Sequence, residues 1–92
     1  MINGILPKPN PISREWKDTK FYAAVTWINE RLACYAEGQE GVEYFDPAFL
    51  FQDDNGRVPK GLLPDGLHPS AKGARIWSEA ILQRTEAIIQ EL

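Results

Sequence analysis

The only histidine of this 92-residue chain lies in the segment DGLHPSAKG, residues 65–73. His68 follows Asp65 by three residues and directly precedes Pro69. Gly66 permits a tight bend between carboxylate and imidazole, and a proline disfavours helical backbone at the residue before it. This geometry can hold one ring nitrogen on the carboxylate and leave the other free to accept a proton, as a general base requires. The spacing therefore predicts an Asp–His pair suited to acid–base chemistry.

A second interpretation of the same residues is purely structural. At average composition, about one histidine in twenty has an aspartate three residues earlier by chance. In that case the segment is a polar loop whose side chains satisfy backbone amides at the start of a helix. Ser70 is the best N-cap candidate of the chain and fits both interpretations. The residues by themselves leave the two hypotheses open.

Composition and charge exclude several classes of function. The net charge is −3 and Lys and Arg form no cluster, so we expect no nucleic-acid partner. No apolar run approaches the roughly 18 residues of a membrane span. One cysteine and one histidine provide no zinc ligand set, and the acidic residues of the DDNG segment (53–56) have the wrong spacing for a calcium loop. We therefore expect neither a metal nor a cofactor.

Hydrophobic periodicity and turn residues predict the elements that position the Asp–His pair. In chain order, the predicted segments are a strand (2–6), a helix (13–38), a strand (42–45), a long loop (49–69) and a helix (70–92). Loops of this length are uncommon in compact domains and often carry function. The loop delivers the Asp–His pair to the start of the last helix.

Each predicted helix has one apolar face at helical spacing. In the first helix this face consists of Phe21, Val25, Ile28, Leu32 and Tyr35. In the last helix it consists of Trp77, Ile81, Ile88 and Leu92. We expect these faces to be buried, Trp16 and Trp27 to be core residues, and Cys34 to be a buried or half-buried, inert thiol.

Strand, helix, strand, loop and helix is the order of an α/β protein with a parallel sheet. Two parallel strands and two helices do not close a core, because parallel sheets normally have more strands and carry helices on both faces. We therefore predict that residues 1–92 form a single, incomplete α/β unit. An open strand edge favours its pairing with another chain.

The segment DGLHPSAKGARIWSEAI closely resembles the C-terminal block of the SGNH (GDSL-type) hydrolases, which combines Asp-x-x-His with a glycine early in the last helix. GILPKPNP, a helix and VEYFDPAFLFQDDNG precede it in the order and spacing of that family. The pattern is similar to platelet-activating-factor acetylhydrolases and related carbohydrate O-acetylesterases. The resemblance covers nearly the whole chain. It implies the C-terminal portion of a flavodoxin-like, three-layer α/β/α sandwich with a parallel sheet.

The resemblance also implies a function for the Asp–His pair. Asp65 and His68 match the acid and base of a serine ester hydrolase that acts on small acyl or acetyl esters. In the family, the base takes the proton of a serine hydroxyl that attacks the ester carbonyl, then returns it to the leaving alcohol. Ser70 and Gly73 match positions that cap and pack the last helix, and we expect them to be structural.

The family's nucleophile and oxyanion-hole motifs are missing from this chain, which contains neither Gly-Asp-Ser nor Gly-x-Asn-Asp. Ser13, Ser70 and Ser78 are poor substitutes for the nucleophile. Without a nucleophile and oxyanion donors, the chain alone is expected to be inactive. The expected partner is the N-terminal half of the hydrolase domain, which carries Gly-Asp-Ser.

Two hypotheses from other functional classes stay open. In the first, the chain is a non-catalytic α/β module that self-associates through its open strand edge and serves binding. In the second, it is an independent domain in which the Asp–His pair binds a ligand without a metal. A serine-bearing companion would favour the hydrolase, and a stable self-dimer without one would favour the module.

Overall fold

The structure is a computed structural model that describes all of residues 1–92. It contains two short strands, two α-helices and one 3-10 helix. In chain order, these are β1 (Ile2–Asn3), α1 (Tyr22–Glu37), β2 (Tyr44–Phe45), the 3-10 helix (Pro47–Phe51) and α2 (Ala71–Glu91). No helix has the length and apolar character that a membrane crossing requires.

The predicted three-layer α/β/α sandwich is wrong for this chain. Its sheet consists of two parallel strands of two residues each, with Ile2 opposite Tyr44 and Asn3 opposite Phe45. Strands this short do not form a sheet broad enough for helices to cover on both faces. α1 contacts β2, whereas α2 packs mainly against the 3-10 helix. The chain therefore has a two-stranded parallel sheet and two helices, without the layers of a flavodoxin-like domain.

A side chain from α1 binds the backbone that follows the first strand. Gly4 still donates its backbone N–H to the Phe45 carbonyl, at 2.8 Å. At the next residue, the Ile5 N–H donates to Asn29 Oδ1 at 2.7 Å, and Asn29 Nδ2 donates back to the Ile5 carbonyl at 3.0 Å. Asn29 is buried on α1. This amide therefore fastens the chain that leaves β1 to the helix, on the edge opposite β2.

The first helix begins at Tyr22 rather than at Ser13, where the sequence places its start. Asn10 Oδ1 accepts the backbone N–H groups of Ile12 and Ser13, at 2.9 and 3.1 Å, and closes a turn. Arg14 has a φ of +64°, in the left-handed region that an α-helix excludes. The segment before Tyr22 is therefore an irregular connection.

The hydrophobic core lies largely between irregular segments. Trp16, Phe51, Val58 and Leu63 are all buried and form one cluster. Val58 and Leu63 belong to the segment that the sequence predicts to be a loop, and both are fully buried. Trp77 of α2 is half-buried and packs on Phe51 edge to face, with ring centroids 5.9 Å apart. The core position predicted for Trp16 is confirmed.

Part of the predicted buried face of α1 is exposed. Phe21, Ile28 and Tyr35, which we call the exposed α1 face, are between 37% and 57% accessible to solvent. Trp27 and Cys34 are also exposed, so their predicted burial is wrong. The residues that α1 buries are a polar one, Asn29, and a small one, Ala36. The sheet is too small to cover the larger apolar side chains.

Candidate acid–base site

The loop before α2 folds around the carboxylate of Asp65. Gly66 has a φ of +74°, a conformation that suits glycine, and its N–H donates to the Leu63 carbonyl at 3.1 Å. The backbone N–H groups of Leu67 and His68 both donate to Asp65 Oδ1, at 2.8 and 2.7 Å. This double acceptance closes the turn and brings residues 65 and 68 to the same side of the loop.

The second carboxylate oxygen of Asp65 lies 2.6 Å from His68 Nδ1. No protein group is hydrogen-bonded to Nε2, and the His68 side chain is 75% exposed. Because the carboxylate accepts a hydrogen bond at Nδ1, that nitrogen carries the proton of the neutral ring and Nε2 is the free, basic nitrogen. The structure thus brings the two candidate residues together with the second ring nitrogen open to a reactant.

The pKa of the Asp65 carboxyl is held far below its ordinary range. The largest cause is the hydrogen bond from the backbone N–H of His68, followed by the bond from the imidazole and by the N–H of Leu67. All three bonds favour the ionised carboxylate. Asp65 therefore remains an ionised acceptor for the Nδ1 hydrogen bond even in moderately acidic solution.

This low pKa gives a testable dependence on pH. An ordinary aspartate has a pKa of about 3.9, so in the unfolded chain Asp65 is largely protonated at pH 3. In the folded chain we expect the ¹³C shift of its carboxyl group to remain that of a carboxylate at pH 3. Its contribution to stability is then present above the unfolded pKa and is lost as the pH falls through the folded pKa. The same titration in concentrated urea is the control, and a native midpoint near 4 would contradict the expectation.

Ser70 is the N-cap of α2, as predicted, and its hydroxyl is fully engaged. Its Oγ accepts the N–H of Gly73 at 3.0 Å and donates to the Gly61 carbonyl at 2.5 Å. The hydroxyls of Ser13 and Ser78 also form hydrogen bonds with nearby backbone groups. None of the three serines of the chain is hydrogen-bonded to the histidine. The acid–base pair therefore has no nucleophile within this arrangement.

Replacement of Ser70 by alanine should destabilise the chain by about 1 kcal/mol, within the range of roughly 0.5–2 kcal/mol found for N-caps. Both hydrogen bonds of the hydroxyl are lost, and the Gly73 N–H loses its partner. Urea unfolding followed by circular dichroism measures the change. Ser78→Ala, in the middle of the same helix, is the matched control and should stay within about 0.5 kcal/mol of wild type. Equal effects of the two substitutions would count against the cap.

Gly73 allows α2 to lie directly against the loop. A Cβ at this position would be 2.6 Å from the Leu62 carbonyl oxygen and 3.1 Å from Cε1 of Phe51. The Leu62 carbonyl also accepts the backbone N–H of Ser70, at 2.9 Å. The first turn of α2 and the segment before Asp65 are therefore fixed to each other, which supports the structural role expected for Gly73.

An apolar cleft of about 370 Å³ adjoins the loop, and we call it the Leu67 cleft. It is lined by Ile5, Leu6, Pro7, Lys8, Phe21, Val25, Gly66 and Leu67. Gly66 and Leu67 lie between the two residues of the acid–base pair. Lys8 Nζ donates to the Gly66 carbonyl at 3.4 Å, so the segment that leaves β1 touches the histidine loop. The cleft thus connects the end of the sheet with the candidate site.

One residue near the site has no role that the sequence predicts. Arg14 is buried, and its guanidinium donates to the carbonyls of Val58 and Leu63. These partners lie 44 and 49 positions away along the chain, and no sequence motif around Arg14 indicates them.

No group of three or more His, Cys, Asp or Glu side chains is placed to hold a metal ion.

Comparisons of the chain with protein-family models, with curated proteins and with solved structures find no match.

Proposed function

We propose that this chain supplies the acid and base of an SGNH (GDSL-type) serine ester hydrolase that cleaves small acyl or acetyl esters. The contact between Asp65 Oδ2 and His68 Nδ1, 2.6 Å long with Nε2 exposed, carries the proposal. The resemblance of residues 65–81 to the last block of that family supports it. The pair has the orientation that a general base needs, with one nitrogen held and one nitrogen free.

The pair would act in two proton transfers. His68 Nε2 takes the proton of a serine hydroxyl as its oxygen forms a bond to the ester carbonyl carbon, and the carbonyl oxygen becomes an oxyanion. The same nitrogen then gives this proton to the leaving alcohol, which leaves an acyl-serine. Water is activated in the same way and releases the acid. Asp65 stays ionised and stabilises the imidazolium in both transfers.

The serine and the oxyanion donors come from another polypeptide segment in this proposal, the N-terminal half that carries Gly-Asp-Ser. Hydrogen bonds to backbone groups occupy the hydroxyls of Ser13, Ser70 and Ser78. Gly-Asp-Ser is absent from the sequence. The isolated chain is therefore inert toward esters.

The outer edge of β1 and the Leu67 cleft form the surface where this segment docks. Ile2 and Gly4 donate their N–H groups to the carbonyls of Glu43 and Phe45, so the alternation of the ladder directs the backbone groups of Asn3 to the opposite edge, where no strand pairs. A parallel strand added there would end beside the cleft, because the chain that leaves β1 lines the cleft together with Gly66 and Leu67. The loop after that strand would then approach His68.

The test is co-expression of this chain with the polypeptide encoded directly upstream, followed by native mass measurement and labelling with a fluorophosphonate, which reacts with activated serines. We expect a complex of the two, labelling of a serine outside this chain, and turnover of p-nitrophenyl acetate. Phe21→Glu, in the cleft, should prevent the complex from forming. Leu82→Glu, at an exposed apolar residue of α2, is the matched control and should leave it intact.

Other results would overturn the proposal. A stable self-dimer, with no labelled serine in the presence of the upstream polypeptide, would instead favour the binding module that associates through its strand edge. A complex that hydrolyses the ester equally well with His68→Ala would show that another group is the base.

A further inference from the structure

Arg14 combines two unfavourable features in one residue. Its φ of +64° is uncommon for a residue other than glycine. Its side chain is buried, with the residue only 8% exposed, and no carboxylate forms an ion pair with it. Burial of an unpaired charge is costly unless hydrogen bonds compensate for the lost water. A glycine would suit this backbone better, and an apolar side chain would suit the core.

The compensating bonds all go to the segment that leads to the acid–base pair. Arg14 Nε donates to the Val58 carbonyl at 2.8 Å, and Nη2 donates to the Leu63 carbonyl. The backbone carbonyl of Arg14 in turn accepts the N–H of Val58, at 2.8 Å. One arginine therefore fixes both ends of residues 58–63. The planar guanidinium can reach two carbonyls at once, which an ammonium group on a single stem does less well.

The Leu63 carbonyl connects Arg14 to the histidine loop. It accepts the guanidinium and also the N–H of Gly66, at 3.1 Å. Gly66 lies between Asp65 and His68, and its turn presents the Asp65 carboxylate to the imidazole. Loss of the guanidinium would release the carbonyl on which this turn closes.

We infer that Arg14 is a positioning residue for the Asp65–His68 pair, holding it in contact through the Leu63 carbonyl. The catalytic consequence rests on the proposed function, whereas the geometric effect does not. In this role, the buried charge and the unusual backbone angle set the position of the loop, which offsets their cost. Asn29 makes a useful comparison, since it is the other buried polar side chain and also bonds twice to backbone, but at Ile5.

The test uses the 92-residue chain and the ¹⁵N shifts of the His68 ring, which report which nitrogen carries the proton. In wild type we expect the Nδ1-protonated form, because Asp65 accepts from Nδ1. Arg14→Met retains a long side chain and a Cβ at the same backbone angle, but has no donors. We expect it to shift the ring toward the Nε2-protonated form, and Arg14→Lys to cause a smaller shift in the same direction. Asn29→Ala, which also loses two hydrogen bonds to backbone, should leave the shifts unchanged.

Circular dichroism and tryptophan fluorescence establish that each variant is folded. A folded Arg14→Met protein with wild-type ring shifts would overturn the inference, as would an equal shift in Asn29→Ala. If Arg14→Met does not fold, Arg14→Lys decides, and wild-type shifts in that variant would overturn it as well. None of these readouts needs a nucleophile, so a failure of the proposed hydrolase and a failure of the Arg14 role are distinguishable. In an active complex, the same loss should lower kcat more than it raises KM.

Discussion

Replacement of His68 by alanine is expected to lower kcat/KM for p-nitrophenyl acetate by at least about 10⁴-fold in the proposed complex of this chain with a serine-bearing partner. The reason is that Nε2 is the only free basic nitrogen at the site, and a serine hydroxyl without a base is a weak nucleophile at neutral pH. Steady-state kinetics on the purified complex measure the effect. The oxyanion donors of the partner would leave some residual activity.

Two further substitutions make this result specific. Asp65→Asn should cost a comparable factor of about 10⁴, because an amide in place of the carboxylate no longer fixes the Nδ1-protonated ring or stabilises the imidazolium. Arg84 lies on α2 and forms an exposed ion pair, 3.3 Å long, with Glu43, so Arg84→Ala should leave the kinetics unchanged. A His68→Ala complex that retains more than about a tenth of its activity would remove the histidine from the mechanism.

Replacement of Phe51 by alanine should destabilise the fold by about 3–5 kcal/mol. Phe51 is among the largest fully buried side chains and joins the 3-10 helix to α2 through Trp77. A chain of this length has a total stability of about 5–14 kcal/mol, so the loss is a large part of the whole. Urea unfolding followed by tryptophan fluorescence would show a much lower midpoint, or no folded baseline at all.

Phe49 provides the matched control, two positions away in the same 3-10 helix. It is 65% exposed and forms an edge-to-face pair with Phe45, with ring centroids 6.2 Å apart. Phe49→Ala should therefore cost about 1 kcal/mol or less. Similar losses at positions 49 and 51 would mean that the core is not centred on Phe51.

Local features of the site could be predicted from the sequence, because they depend on residues a few positions apart. The Asp65–His68 contact follows from a spacing of three, with Gly66 for the bend and Pro69 to keep His68 out of the helix. Ser70 is an N-cap for similarly local reasons. The role of Arg14 could not be predicted, since its partners are distant in sequence and no periodicity relates them.

The fold is less predictable from the sequence, because the sequence does not indicate which helix faces and sheet surfaces pack against other elements. Periodicity indicates that Phe21 and Ile28 share a helix face, but it does not indicate whether anything packs on that face, and both are exposed. The chain after β1 is fastened to α1 by the side chain of Asn29, which lies 24 residues from Ile5 in the sequence. A family resemblance and an order of elements suggested three layers, but strands of two residues do not support them.

The exposed α1 face also affects the steady-state amount of this chain in a cell. This chain has an exposed apolar helix surface and an unpaired strand edge. Chains with such features are bound by chaperones and degraded by proteases when no partner covers them. A partner that binds only the folded chain raises its stability with concentration, by mass action. We therefore expect the steady-state amount of this chain to follow that of the proposed partner. Surplus copies would be degraded, and the amount of chain that carries His68 would then depend on synthesis of the proposed partner.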